Sequence, residues 1–246
     1  MRYNFIKIQK KQALAWLIMN RPKKRNALNR ETLAELHHGL VTLEQDPSVR
    51  VVILTGAGDQ AFVAGADIAE LANLNSEQAK DLVVEGNRTV FDYIENYSKP
   101  TIAAVNGYAL GGGLELAMAC HLRIFADTAR VGMPETSLGL IPGYGGTQRL
   151  PQLVGKGRAL EIMLTAKMID AKRAYEIGLA NRVCAASELK KTVETLSYQI
   201  MENAPQAQTQ LIGAVNASYE IHTDGYKAEA DAFGTCFGTE NFKEGI

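Results

Sequence analysis

Two apolar runs, Val49 to Thr55 and Thr101 to Asn106, most constrain how this chain can fold. Each is short and rich in β-branched or small apolar residues, and each ends in a glycine-rich loop. A helical pattern resumes after both loops. A short, continuously apolar run bounded by turn residues reads as a strand buried on both faces. Strand–helix alternation then points to stacked α/β units with largely parallel strands.

The flanking segments fit this scheme. Tyr3 to Gln9 and Ala13 to Met19 read as an opening hairpin around a short basic turn. Asn29 is placed to cap a helix carrying Leu33, Leu36, Leu40 and Leu43 at helical spacing. Ser76 is placed to cap a second helix running to about Tyr97, and Leu122 to Ala126 reads as a further strand. Thr147 to Leu153 reads as a short helix, and Asn181 to Cys184 as the last strand candidate. From about Ala186 helical periodicity takes over, so residues 1–185 are expected to form the core and 186–246 a helical appendage.

Composition narrows the function classes. A formal net charge of −1 argues against a dedicated nucleic-acid binder, which carries a clear basic excess. No apolar run reaches the roughly 18–20 residues that cross a bilayer. Met1 to Lys10 alternates apolar and polar residues, unlike a signal sequence, so a cytoplasmic location is expected. Cys120, Cys184 and Cys236 suit reduced thiols. Neither they nor the four histidines have the spacing of metal ligands, so no metal is expected.

Three glycine-rich passages remain as candidates for chemistry. Gly56-Ala-Gly-Asp-Gln-Ala61 follows a strand but does not lead into a helix, and it reads as a surface loop rather than a dinucleotide turn. Gly107 to Gly113 ends in three consecutive glycines at the start of an apolar helix. Glycine weakens a helix, so such a run needs a reason: close packing against a strand, or close approach of a ligand to the free N–H groups of the first turn. The latter would suit an oxygen that gains negative charge. The third passage, Ile141-Pro-Gly-Tyr-Gly-Gly-Thr147, reads as a pocket wall or a surface loop.

Glu115 lies within Gly-Gly-Leu-Glu-Leu-Ala-Met-Ala, and Glu135 follows Pro134 beside apolar residues. A carboxylate among apolar neighbours needs a partner or a function. Two of them in one apolar site can divide acid and base roles, because desolvation raises their pKa values toward neutrality. Spacing alone permits, but does not establish, a shared pocket.

Taken together, these residues resemble the crotonase superfamily of enoyl-CoA hydratases and isomerases. The matching words are Asn20-Arg-Pro-Lys-Lys-Arg-Asn-Ala-Leu-Asn29, Phe62-Val-Ala-Gly-Ala-Asp-Ile68, Pro100 to Glu115, Pro134-Glu135, and Gly139-Leu-Ile-Pro-Gly-Tyr-Gly-Gly-Thr-Gln-Arg149. The resemblance implies a spiral of ββα units with a C-terminal helical region that builds homotrimers, often paired into homohexamers. It implies an acyl-CoA thioester substrate, with coenzyme A as part of that substrate and no separate cofactor. It assigns the backbone N–H groups of Ala66 and Gly112 to an oxyanion hole. Glu115 would activate water and Glu135 would deliver the α-proton. Asp67 would steady the loop after Ala66. Lys23, Lys24 and Arg25 would lie near the coenzyme A phosphates. Ala27, Ala64 and Ile68 would contact pantetheine or adenine through their backbones. Leu71, Leu74 and Tyr144 are the candidates for the acyl pocket. Relatives commonly carry about a dozen further residues with a basic run that can touch coenzyme A, beyond the point matching Ile246. Having both glutamates favours 2-enoyl-CoA hydration over two alternatives, double-bond isomerisation and dehydration of a branched acyl-CoA. The near-neutral charge disfavours a non-catalytic RNA-binding or scaffold member.

Overall fold

The computed structural model describes residues 3–245 and builds one spiral from two sheets and their connecting helices. The chain end at Ile246, beyond which the resemblance led us to expect a basic run, lies outside the described residues, as do Met1 and Arg2.

The opening hairpin pairs β1 (Ile6–Lys11) with β2 (Leu14–Met19), antiparallel and with Ile6 opposite Met19. Helix α1 (Arg30–Gln45) begins at Asn29, whose side chain accepts the Thr32 N–H, and buries Leu33, Leu36, Leu40 and Leu43. Three turns of the spiral follow, and each contributes one strand to each sheet. The first is β3 (Val51–Gly56) and β4 (Ala61–Val63), followed by helices α2 (Ile68–Leu71) and α3 (Ser76–Gly86). A wide π-helical turn at Asn87–Phe91 leads into α4 (Asp92–Glu95). The second turn is β5 (Thr101–Val105), β6 (Tyr108–Leu110) and α5 (Gly112–Ala119). The third is β7 (Leu122–Ala126), β8 (Arg130–Gly132) and α6 (Gly146–Val154). Helix α7 (Lys156–Thr165), strand β9 (Ile169–Asp170), helix α8 (Ala171–Glu176) and strand β10 (Arg182–Cys184) complete the core.

The larger sheet runs β1-β2-β3-β5-β7-β10, parallel from β2 onward. Its strands read as continuous apolar runs because both faces are covered. Val52, Leu54, Ala103 and Val105 face the interior of the spiral, whereas Val51, Ile53, Ile102 and Ala104 face the other way. Helix α9 (Leu189–Met201) covers that second face with Leu189 and Val193. The smaller sheet runs β4-β6-β8-β9, with two or three residues per strand.

Beyond Ala185 every regular element among the described residues is helical: a 3₁₀ turn, α9, α10 (Pro205–Ala217), α11 (Gly225–Phe237) and α12 (Glu240–Gly245). The second helix starts one residue earlier than the cap at Ser76 implies. Asn75 is its cap and forms a capping box with Gln78, which leaves Ser76 as the first helical residue.

Candidate active site

The glycine run Gly111–Gly113 serves three separate purposes. Gly111 has φ +50, and a Cβ there would collide with the Glu135 carboxylate. Gly113 lies so close to β4 that a Cβ would fall on the Val63 carbonyl, which presses α5 onto the smaller sheet. Gly112 is less tightly packed: a Cβ there would make ordinary contact, 3.7 Å from the Ala66 nitrogen and 3.4 Å from the Tyr144 ring. Close packing therefore accounts for Gly111 and Gly113, whereas Gly112 borders the cleft without such a clash.

Gly112 opens α5, so its N–H has no acceptor within the helix. Ala66 follows β4 in a loop pinned by Leu28, whose N–H donates to the Gly65 carbonyl at 2.9 Å and whose carbonyl accepts the Asp67 N–H at 2.7 Å. These bonds bracket Ala66 and leave its own N–H directed away from Leu28. Among the described residues neither the Ala66 nor the Gly112 N–H donates to a protein acceptor. Asp67 pairs with Arg21 at 2.9 Å, and Arg21 also donates to the Ala27 carbonyl at 2.5 Å. That pair ties the Asn20–Asn29 segment to the loop carrying Ala66.

Both N–H groups open into one cleft of about 340 Å³. Ala64, Ile68, Leu71, Leu74, Tyr144, Glu115 and Glu135 line it. The Tyr144 ring forms a wall, stacked on Phe91 with centroids 4.5 Å apart and backed by Gly86, where a Cβ would strike the ring. Lys23 and Arg25 line a different depression, together with Asp59 and Gln60. Arg25 nevertheless touches the cleft segment through its backbone: its carbonyl accepts the Ala64 N–H at 3.0 Å.

Glu115 is only 1% exposed. Its Oε1 accepts the N–H groups of Tyr144 and Gly146, each at 2.7 Å. Burial pushes its pKa up to about 7; the two N–H bonds and Arg149 pull it down, while the charge of Glu135 pushes it up. Burial likewise raises Glu135, and no protein group donates to its buried Oε2. Burial thus disfavours the charged form of both carboxyl groups lining this cleft. The two N–H donors and Arg149 act against that on Glu115, favouring its anion.

The supporting residues were harder to find in the sequence. Asn26, buried at φ +58, accepts the Arg21 N–H and donates to the Ala57 and Ala61 carbonyls, locking the turn against β4. Its only sequence signal is its place inside a matching word. No cluster of three or more potential metal ligands occurs among the described residues. Nor is any helix among them long and apolar enough to cross a membrane.

The sequence pattern of the family described as enoyl-CoA hydratase/isomerase matches residues 9–246. The chain belongs to this family. It is 46% identical to a crotonyl-CoA hydratase of Syntrophomonas wolfei, over all of this chain and 95% of that protein. It is 44% identical to a short-chain-enoyl-CoA hydratase of Clostridium acetobutylicum, over all of this chain and 94% of that protein. The crystal structure of an enoyl-CoA hydratase from Bacillus anthracis superimposes with a TM-score of 0.93 at 38% identity, covering 98% of this chain and 94% of that one. The crotonase fold expected from the sequence is therefore the fold of this protein.

Proposed function

We propose that this chain is an enoyl-CoA hydratase acting on short 2-enoyl-CoA thioesters. One observation carries the reading: two unpaired backbone N–H groups and two carboxyl groups with raised pKa values meet in one largely apolar cleft. In this reading the Ala66 and Gly112 N–H groups hold the thioester oxygen. Ionised Glu115 takes a proton from water as the water oxygen bonds to C3. The C2=C3 electron pair moves toward C1, and the carbonyl oxygen takes on enolate charge between the two N–H donors. Glu135 then gives its proton to C2 and the carbonyl re-forms, yielding a 3-hydroxyacyl-CoA. Water enters as H and OH, and one proton passes from Glu115 to Glu135 to reset the pair.

Lys23, Lys24 and Arg25 are assigned to the phosphates, at the exposed turn beside Ala64. Residues 186–246 are assigned to assembly of a trimer or hexamer. Supporting this, α10 and α11 expose Leu211, Val215, Tyr226, Phe233 and Phe237, an apolar surface suited to burial between copies. Cytoplasmic residence fits the three free cysteines.

The test is a steady-state panel of straight-chain enoyl-CoAs from C4 to C12, read by loss of conjugated absorbance. Crotonyl-CoA should be hydrated fastest, because Tyr144 and its backing by Phe91 close one wall of the cleft. Absence of turnover with every thioester would sink the reading. The pH profile gives a second check. Glu115 must be ionised and Glu135 protonated, so kcat/KM should be bell-shaped, falling about tenfold per pH unit below about 7 as Glu115 takes up a proton and falling again at higher pH as Glu135 loses its own. An acid limb near the ordinary carboxylate range would remove Glu115 as the base.

A further inference from the structure

The orientation of Glu115 is set from behind by a single loop, Tyr144 to Gly146, which supplies both N–H bonds to its Oε1. The loop leads into α6, whose first residue is Gly146, and passes through Gly145 at φ +88. The Gly145 carbonyl accepts the N–H groups of Gln148 and Arg149, Asn87 Nδ2 donates to the Gly143 carbonyl at 3.0 Å, and the Tyr144 ring stacks on Phe91. Arg149, in the first turn of α6, adds a side-chain grip on the same loop. Its Nη1 donates to the Tyr144 carbonyl at 3.0 Å, so the residue whose N–H grips Glu115 is itself gripped through its C=O. The guanidinium also packs against Gly145, where a Cβ would collide with it.

The other edge of the guanidinium is clamped. Nη2 donates to Asp92 Oδ1 at 2.7 Å and to Glu95 Oε2 at 2.6 Å, and Nε donates to Glu95 Oε2 at 3.1 Å. The clamp is anchored in turn. The Glu95 carbonyl accepts from Asn216 Nδ2 at 2.7 Å and from His121 Nε2 at 3.0 Å. The His121 proton sits on Nε2 because Nδ1 accepts the Thr101 N–H. Arg149 is 5% exposed, and its bonds to Tyr144, Asp92 and Glu95 all use its planar fork.

We propose that Arg149 is a positioning residue for Glu115: clamped by Asp92 and Glu95, it fixes the Tyr144–Gly146 loop so that two N–H groups converge on the catalytic carboxylate. Its consequence for rate rests on the hydratase reading above. The groups facing Glu115 are Glu135 from the turn after β8, Arg149 from α6, and the Tyr144 phenol from the loop. Removing Arg149 takes away a cation and loosens two N–H donors, and both losses disfavour the carboxylate.

The test is a double-mutant cycle of Arg149→Met with Glu115→Gln on the full chain, assayed with crotonyl-CoA. Alone, Arg149→Met should lower kcat by about tenfold or more, the scale of a small misplacement, with KM nearly unchanged. It should also move the acid limb of the pH profile upward. In the Glu115→Gln background the same substitution should cost less than about threefold, because the two residues act as one unit. Equal losses in both backgrounds would reduce Arg149 to a structural role and overturn the proposal. Where Arg149→Met does not fold, Arg149→Lys carries the same cycle, since a single ammonium cannot reach the carboxylates and the Tyr144 carbonyl together. An activity-free readout separates this inference from the hydratase reading. The carbon-13 carboxyl signal of Glu115, assigned by its loss in Glu115→Gln, should titrate at higher pH in Arg149→Met. An unchanged midpoint overturns the positioning role whether or not the wild-type protein hydrates any thioester.

Discussion

Replacing Glu115 with glutamine should lower crotonyl-CoA hydration by at least about 10²-fold, the scale of a positioned acid–base group, without loss of the fold. The substitution is isosteric. The amide oxygen keeps the N–H bonds from Tyr144 and Gly146, since the NH₂ cannot face two donors. The NH₂ therefore points into the cleft, where it cannot accept a proton from water. Removing a buried carboxylate also relieves its desolvation, so Tm at neutral pH should stay level or rise. Loss of rate with an intact Tm isolates the chemistry. Residual turnover should come from the Ala66 and Gly112 donors, which the substitution leaves alone. Glu135→Gln should give a loss of the same order, by removing the proton destined for C2. Wild-type hydration in either variant would withdraw the role assigned to that residue.

The second large effect is expected at Gly113, which never touches substrate. Alanine there places a Cβ on the Val63 carbonyl, a backbone atom that no rotamer change can move aside. Helix α5 and strand β4 must separate, at a cost of about 1–3 kcal/mol for overpacking. The Ala66 loop follows β4 directly and Gly112 starts α5, so the same separation moves one N–H donor away from the other. Misplacement of about 1 Å is enough to lose up to about 10²-fold in rate. Gly113→Ala should thus lower both the unfolding free energy, measured in denaturant, and kcat. Gly157→Ala is the control, because nothing lies within 4 Å of its added methyl group. Unaltered stability in Gly113→Ala would mean that helix and strand do not make this approach.

The legibility of the fold followed length and burial. Strands β3, β5 and β7 have five or six residues and are almost wholly buried, so their apolar runs stand out against the helices. The smaller sheet left no such trace. Strands β4, β6, β8 and β9 are too short for a period of two to register. Tyr108–Leu110 is a strand because it lies between β4 and β8, not because of its own residues. The π turn at Asn87–Phe91 was equally invisible within the helical pattern from Ser76 to Tyr97, since one wide turn does not break an apolar stripe.

For the site, the sequence by itself determined which residue types stand at which positions. It set three glycines before a helix, Glu115 among apolar neighbours, Glu135 after a proline, and enough matching words to name the family. Those choices are local, and local chemistry can be read one residue at a time. Only the tertiary structure decided that Ala66 and Gly112, from two turns of the spiral, turn their N–H groups into one cleft. It alone brought Arg149, Asp92 and Glu95 behind Glu115, and it placed Lys23 and Arg25 at a neighbouring depression rather than inside the cleft. The physical reason is that backbone donors carry no side-chain signature. Where they point is fixed by the pairing of β4 with β6 and by the contact of Gly113 with Val63, both of which exist only once the spiral has closed.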